Sequence, residues 1–69
     1  MNENIKIKFG NNIKKQRNLK GLSQEKLAEV SELHRTYISS LELGKRNIGL
    51  ENIQKLAIAL DCKISELFD

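Results

Sequence analysis

The stretch from Leu22 to Gly44 constrains the fold of this chain more than any other. It reads LSQEKLAEVSELHRTYISSLELG, and its apolar residues recur at the spacing of amphipathic helices. The pattern is interrupted before His34, so it predicts two short helices joined by a few residues. Ser23 is expected to cap the first helix by accepting a hydrogen bond from a free backbone N–H group, and Gly44 is expected to end the second.

The second of these helices begins with polar side chains that are able to touch nucleic acid. Two short helices, one bracing the other, are the layout of a helix-turn-helix, placed here at roughly residues 23–43. The start of the second helix then faces base edges in the DNA major groove, where Arg matches guanine and short Ser side chains allow close approach. The predicted base contacts are Arg35, Thr36, Ser39 and Ser40. An ordinary solvated helix face accounts for these residues about as well.

Polar residues around the two helices are candidates for contacts with DNA phosphates. The first helix begins with free N–H groups that attract anions, and the loop after Gly44 is basic. The predicted backbone contacts are Gln24, His34, Tyr37, Lys45, Arg46 and Asn47. Each of them is equally well explained as a surface polar residue. A second histidine that would build a metal site with His34 is missing from the sequence.

Three further segments complete the predicted secondary structure. Residues 4–20 favour a helix ended by Gly21, although alternating Ile5, Ile7 and Phe9 would also suit a strand and Gly10 costs a helix about 1 kcal/mol. Residues 50–60 carry apolar side chains at strict helical spacing, and a fifth segment starts at Ser65. The predicted core residues are Ile5, Phe9, Ile13, Leu27, Ala28, Val30, Ile38, Leu41, Ile53, Leu56, Ala57 and Leu60, with Tyr37 partly inside.

One ion pair is predicted between the first and third segments. Arg17 lies on the same side of its helix as Ile13, and Glu42 follows the core residue Leu41. We therefore expect Arg17 and Glu42 to form a partly buried structural ion pair.

Composition narrows the class of protein. A chain of 69 residues with one cysteine and one histidine has no disulfide or zinc site, and its small core buries about 60% of its unfolded surface. The net charge of +3 suits a polyanionic partner, although simple solubility explains it too. Cys62 is expected to be a core residue of a cytoplasmic protein. We expect no signal peptide, membrane span, metal, cofactor, small-molecule ligand or enzyme activity.

Several motifs in a fixed order resemble the lambda-repressor-like (Xre-type) helix-turn-helix family. They are Leu22–Ala28, His34–Ser39, Leu41-Glu42-x-Gly44, Arg17-x-x-Lys20-Gly21 and the tail Ile64–Phe68. The resemblance implies an all-α, compact five-helix bundle that spans residues 1–69 as a single domain. It also implies a homodimer that binds a palindromic operator in double-stranded DNA through helices 2 and 3. We expect dimer contacts from Ile64, Leu67 and Phe68.

Within that family the chain resembles the controller proteins of restriction–modification systems, through the run Arg35–Ser39 and the loop residues Arg46 and Asn47. Such proteins regulate their own gene and a neighbouring endonuclease gene, and RNA polymerase is among the expected partners. The alternative is a phage or plasmid repressor, or an antitoxin whose main partner is a protein. Glu32 stands where the family usually has Gly, so either the turn differs or a left-handed Glu costs about 1 kcal/mol.

Overall fold

Four α-helices and one 3₁₀ helix follow one another in the computed structural model, which describes residues 4–69. They are α1 (Ile5–Leu19), α2 (Gln24–Ser31), α3 (Arg35–Glu42), α4 (Leu50–Leu60) and the 3₁₀ helix Ile64–Leu67. The all-α class is confirmed, since residues 4–69 contain no strand. None of the helices within this range is long and apolar enough to cross a membrane.

The prediction of five α-helices is wrong in its last element. The segment after Lys63 forms a single tight turn, in which the Phe68 N–H group donates to the Ser65 carbonyl. The Glu66 carboxylate accepts a hydrogen bond from the Lys63 N–H group at 2.8 Å and closes this turn. The i to i+3 hydrogen bond is the pattern of a 3₁₀ helix rather than of an α-helix.

The first segment is helical, so the alternative of a strand is excluded. The Asn4 side chain caps α1 by accepting a hydrogen bond from the Lys6 N–H group at 2.9 Å. Phe9 and Ile13 are buried as predicted. The prediction for Ile5 is wrong, because its side chain lies in the first turn of α1 and is 56% exposed. Gly10 lowers the helix propensity of α1, but the packing of α1 on α3 requires a glycine there. A Cβ atom at this position would lie 2.1 Å from the Leu41 carbonyl oxygen.

The core lies where α1 packs on α3 and the 3₁₀ helix, and where α2 packs on α3 and α4. Its buried apolar residues are Phe9, Ile13, Leu27, Ala28, Ile38, Leu41, Ile53, Leu56, Ala57, Leu60 and Leu67. The four predicted core positions of α4 are thus confirmed. The prediction for Val30 is wrong, since its side chain is 45% exposed. Val30 follows Ala28 by two residues, which places the two on opposite sides of α2.

Cys62 is half-buried and packs against this core, as predicted for a structural cysteine. Burial, followed by the negative charge of Glu66, raises the pKa of the Cys62 thiol. A raised pKa keeps the sulfur protonated and poorly nucleophilic at neutral pH. Residues 4–69 also hold no cluster of three or more His, Cys, Asp or Glu side chains able to bind a metal ion.

Candidate nucleic-acid interface

The turn between α2 and α3 keeps a left-handed residue although that residue is a glutamate. Glu32 has φ 63° and ψ 32°, and its N–H group donates to the Glu29 carbonyl. The Leu33 N–H group donates to the Ala28 carbonyl at 3.0 Å, which closes the end of α2. Of the two alternatives for Glu32, the structure therefore shows the left-handed glutamate, with its conformational cost.

Helix α3 packs on the core through two buried apolar side chains, and polar side chains lie on the opposite, solvent-facing side. Ile38 is fully buried and Leu41 is 1% exposed. Of the four predicted base contacts, Arg35 and Thr36 are exposed in the first turn, and Ser39 and Ser40 are half-buried in the second. The helix starts after His34, whose exposed side chain makes no capping hydrogen bond. The N–H groups at this end remain suited to an anion.

The basic loop after α3 contacts that helix through Arg46, which lies over the aromatic ring of Tyr37. Lys45, Arg46 and Asn47 are all exposed. The Arg46 guanidinium carbon lies 5.0 Å from the centroid of the Tyr37 ring, which is a cation–π contact. We call Arg46, Tyr37 and Asn52 the Tyr37 cluster, because the Asn52 side-chain amide donates to the Tyr37 hydroxyl oxygen at 3.2 Å. Asn52 could not be predicted as part of this site, because the periodicity of α4 marks it only as a polar residue.

Arg17 and Glu42 lie in direct contact at the other end of α3. Arg17 Nε donates to Glu42 Oε2 at 2.6 Å, and Nη2 donates to Oε1 at 3.1 Å. Gln24 Nε2 also donates to Glu42 Oε1, at 3.0 Å. We call these three residues the Glu42 cluster. The sequence placed Gln24 at the start of α2 but gave no signal that its side chain meets Glu42.

The C-terminal residues differ sharply in exposure. Ile64 is 47% exposed and Phe68 is 37% exposed, and with the 85% exposed Leu50 they line one shallow surface groove. Leu67 is fully buried in the core of its own chain. The expectation that Leu67 contacts a second chain is therefore corrected, because it has no surface to offer. The Phe68 ring packs on Phe9, with centroids 5.0 Å apart.

Comparison with known proteins places these features in a family. The sequence model of the helix-turn-helix family matches residues 13–67. The control protein C.MunI from Mycoplasma sp is 52% identical and aligns with 93% of this chain and 88% of its own length. The crystal structure of the restriction–modification controller protein C.AhdI from Aeromonas hydrophila superposes with a TM-score of 0.89 at 51% identity. The chain belongs to the controller-protein branch of the helix-turn-helix family.

Further relatives agree with this assignment. The control protein C.BamHI from Bacillus amyloliquefaciens is 46% identical to this chain, and the match covers all of this chain and 86% of the relative. The superposition on C.AhdI covers 91% of this chain and 96% of that one. The resemblance predicted from the motifs is therefore confirmed, both for the broad family and for the controller proteins within it.

Proposed function

We propose that this chain is a sequence-specific DNA-binding transcription regulator that binds a two-fold symmetric operator as a homodimer. In this proposal residues 1–69 act as one DNA-binding domain in the cytoplasm, without enzyme activity or cofactor. The regulated promoters are its own and that of a restriction endonuclease, where it meets RNA polymerase. The observation that carries the proposal is the polar surface of α3, anchored by buried Ile38 and Leu41, in a fold that matches a controller protein.

Base contacts are assigned to the outward side chains of α3. Arg35 extends from the first turn, where a recognition helix meets base edges. Its guanidinium fork matches the O6 and N7 acceptors of guanine, and Thr36 offers a hydroxyl and a methyl group. Ser39 and Ser40 are short and half-buried, so they let the helix backbone approach the groove floor.

Backbone contacts are assigned to the residues that surround this helix. Lys45, Arg46 and Asn47 extend from the loop into solvent, and His34 flanks the start of α3. Tyr37 and Gln24 complete the set. Gln24 lies at the start of α2, and its Nε2 donates one N–H group to Glu42 and keeps the second for a phosphate. Each lysine or arginine that neutralises a phosphate releases counterions, so the affinity of a chain with net charge +3 should fall steeply with salt.

Dimerisation is assigned to the exposed apolar groove at Ile64 and Phe68. The neighbouring Leu50 side chain is 85% exposed, which leaves an apolar surface that a second copy would cover. A dimer places two α3 helices about 34 Å apart, one turn of the duplex, and so requires a symmetric operator. Occupancy of the operator then depends on protein concentration through the dimer equilibrium.

The test is selection of random duplex DNA by the purified protein, followed by sequencing of the bound pool. We expect a two-fold symmetric motif with half-sites about one helical turn apart. The motif should occur upstream of the gene for this chain and of an endonuclease gene. A pool without any enriched motif would contradict the proposal and would favour a protein as the main partner.

A further inference from the structure

The hydroxyl of Tyr37 has a defined hydrogen-bond partner inside the protein. Asn52 on α4 donates its side-chain N–H group to this hydroxyl oxygen at 3.2 Å. A phenol hydroxyl carries one proton and can also accept hydrogen bonds. Because Asn52 occupies an acceptor position, the Tyr37 proton is left to be donated to a second group. Neither Tyr37 nor Asn52 is fully buried, so that second group can come from outside the protein.

The surroundings of this hydroxyl favour an anion as that second group. Glu32, His34, Thr36 and Arg46 line the same shallow surface cleft as Tyr37 and Asn52. Within residues 4–69 the Glu32 carboxylate makes no hydrogen bond to the Tyr37 hydroxyl, which leaves that proton free for a ligand. The Arg46 guanidinium lies over the ring at 5.0 Å from its centroid, so the cleft holds a cation that is also exposed to solvent. A hydroxyl donor beside a guanidinium matches a phosphate oxygen, which only accepts hydrogen bonds.

We propose that Asn52 is a positioning residue of the DNA-binding surface. By donating to the Tyr37 oxygen, it turns the Tyr37 proton outward toward a phosphate of the DNA backbone. Asn52 itself does not touch DNA, and its effect is the same for all sequences because it acts on a phosphate contact. This inference rests on the proposed DNA-binding function and adds to it a residue that lies outside the helix-turn-helix.

The first variant is Asn52→Asp, which reverses the direction of the hydrogen bond. A carboxylate can only accept, so it would accept a hydrogen bond from the Tyr37 hydroxyl, which would then no longer donate to the phosphate. The affinity for a labelled duplex from the selected pool, measured by fluorescence anisotropy, should fall about tenfold. The matched control is Asn11→Asp, which makes the same charge change at an exposed residue of α1. Binding by this control should stay within about twofold of the wild type.

The second variant isolates the route through the hydroxyl by a double-mutant cycle. Asn52→Ala should weaken binding about fivefold in the wild-type background and leave it unchanged in a Tyr37→Phe background, where no hydroxyl remains. Equal losses in both backgrounds would overturn the proposal, because Asn52 would then act through packing or charge. Circular dichroism melts of all variants separate a loss of DNA contact from a loss of folded protein.

Tyrosine fluorescence gives an independent signature of the same bond. Tyr37 is the one tyrosine and the chain has no tryptophan, so the emission reports on this hydroxyl alone. Asn52→Asp should quench the emission, because its carboxylate accepts a hydrogen bond from the Tyr37 hydroxyl, and Asn11→Asp should not. A wild-type protein that selects no duplex would overturn the proposed function. If the wild type selects a duplex and the Asn52 variants bind it as tightly as the wild type does, this inference alone is overturned.

Discussion

The Glu42 cluster and the Tyr37 cluster hold opposite ends of α3 in different ways. At the C-terminal end, the Glu42 side chain is 4% exposed and is bonded to α1 and α2 through Arg17 and Gln24. At the N-terminal end, Tyr37 is half-buried, Arg46 is exposed and one hydrogen bond reaches α4. One end of the same eight-residue helix is therefore fixed to the core and the other faces solvent.

The contrast indicates which end serves folding and which serves binding. A buried carboxylate that loses its partner, or a partner that loses its carboxylate, leaves a charge without compensation. Contacts between exposed groups add little to stability and remain available to a ligand. We therefore expect changes in the Glu42 cluster to lower the free energy of unfolding. Changes around the Tyr37 cluster should lower DNA affinity in a protein that melts normally.

The largest effect is expected for Glu42→Ala. This change strands the Arg17 guanidinium, whose side chain is 12% exposed, and removes the acceptor of Gln24. We expect a loss of about 3 kcal/mol in the free energy of unfolding, measured by urea denaturation followed by circular dichroism.

The control for this prediction is Glu29→Ala, which breaks a second ion pair at the surface. Lys26 and Glu29 lie 3.4 Å apart, with side chains that are 53% and 72% exposed. Its loss should cost less than about 1 kcal/mol. If the two variants unfold at the same urea concentration, burial does not distinguish the clusters and the comparison fails.

The next largest effect is expected for Gly10→Ala, which tests the close packing at the same end of α3. Alanine favours a helix by about 1 kcal/mol over glycine, so propensity alone predicts stabilisation. The added Cβ would lie 2.1 Å from the Leu41 carbonyl oxygen and 3.1 Å from the backbone of Glu42. We expect net destabilisation of about 2 kcal/mol in the same urea assay. Gly49→Ser, where nothing lies within 4 Å, should not destabilise.

Local signals in the sequence predicted most of the secondary structure. The bounds of α4 match the predicted segment, and Ser23 caps α2 by accepting a hydrogen bond from the Lys26 N–H group at 2.9 Å. Gly21 and Gly44 both take positive φ values after α1 and α3, as their positions indicated. These features depend on neighbours within a few residues, which a single sequence displays directly.

Most features that depend on distant pairs could not be predicted from the sequence, and the Arg17–Glu42 ion pair is the exception. The partner of Gly10 is a carbonyl oxygen 31 residues further along the chain, at Leu41. The contacts from Asn52 to Tyr37 and from Gln24 to Glu42 likewise join different helices. In the tail, Leu67 is buried while its neighbour Phe68 is partly exposed. The 3₁₀ geometry decides which of these two adjacent apolar residues faces inward. A prediction that assumes an α-helix in this segment does not place them correctly.

Arg35→Ala should leave stability unchanged and act on DNA alone. Its side chain is exposed at the first turn of α3, so its removal creates no cavity. We expect a loss of about 1–3 kcal/mol in operator affinity and a relaxed preference at one base pair in each half-site. The measurement repeats the duplex selection with the variant and compares the two motifs.

Lys45→Ala provides the contrast to this prediction, since the exposed loop lysine is assigned to a phosphate. It should weaken binding to operator and random duplexes alike and lower the slope of log affinity against log salt by about 1. An unchanged motif for Arg35→Ala would show that Arg35 does not read a base, and the assignment of base contacts would have to change.

The smallest effect is expected for Glu32→Gly, in the turn that leads into the exposed end of α3. Glycine accepts φ 63° without a Cβ penalty, so the variant should gain about 1 kcal/mol and melt roughly 4–8 °C higher. It also removes a negative charge near the DNA and should bind the operator more tightly at low salt.

Asp61→Gly makes the same charge change at a second left-handed residue, φ 53°, beside Lys20 at the end of α4. It should raise the melting temperature by less, because Asp tolerates this conformation better than Glu, and leave DNA affinity unchanged. If both variants bind DNA equally tightly, the gain reflects net charge alone and Glu32 does not lie near the duplex.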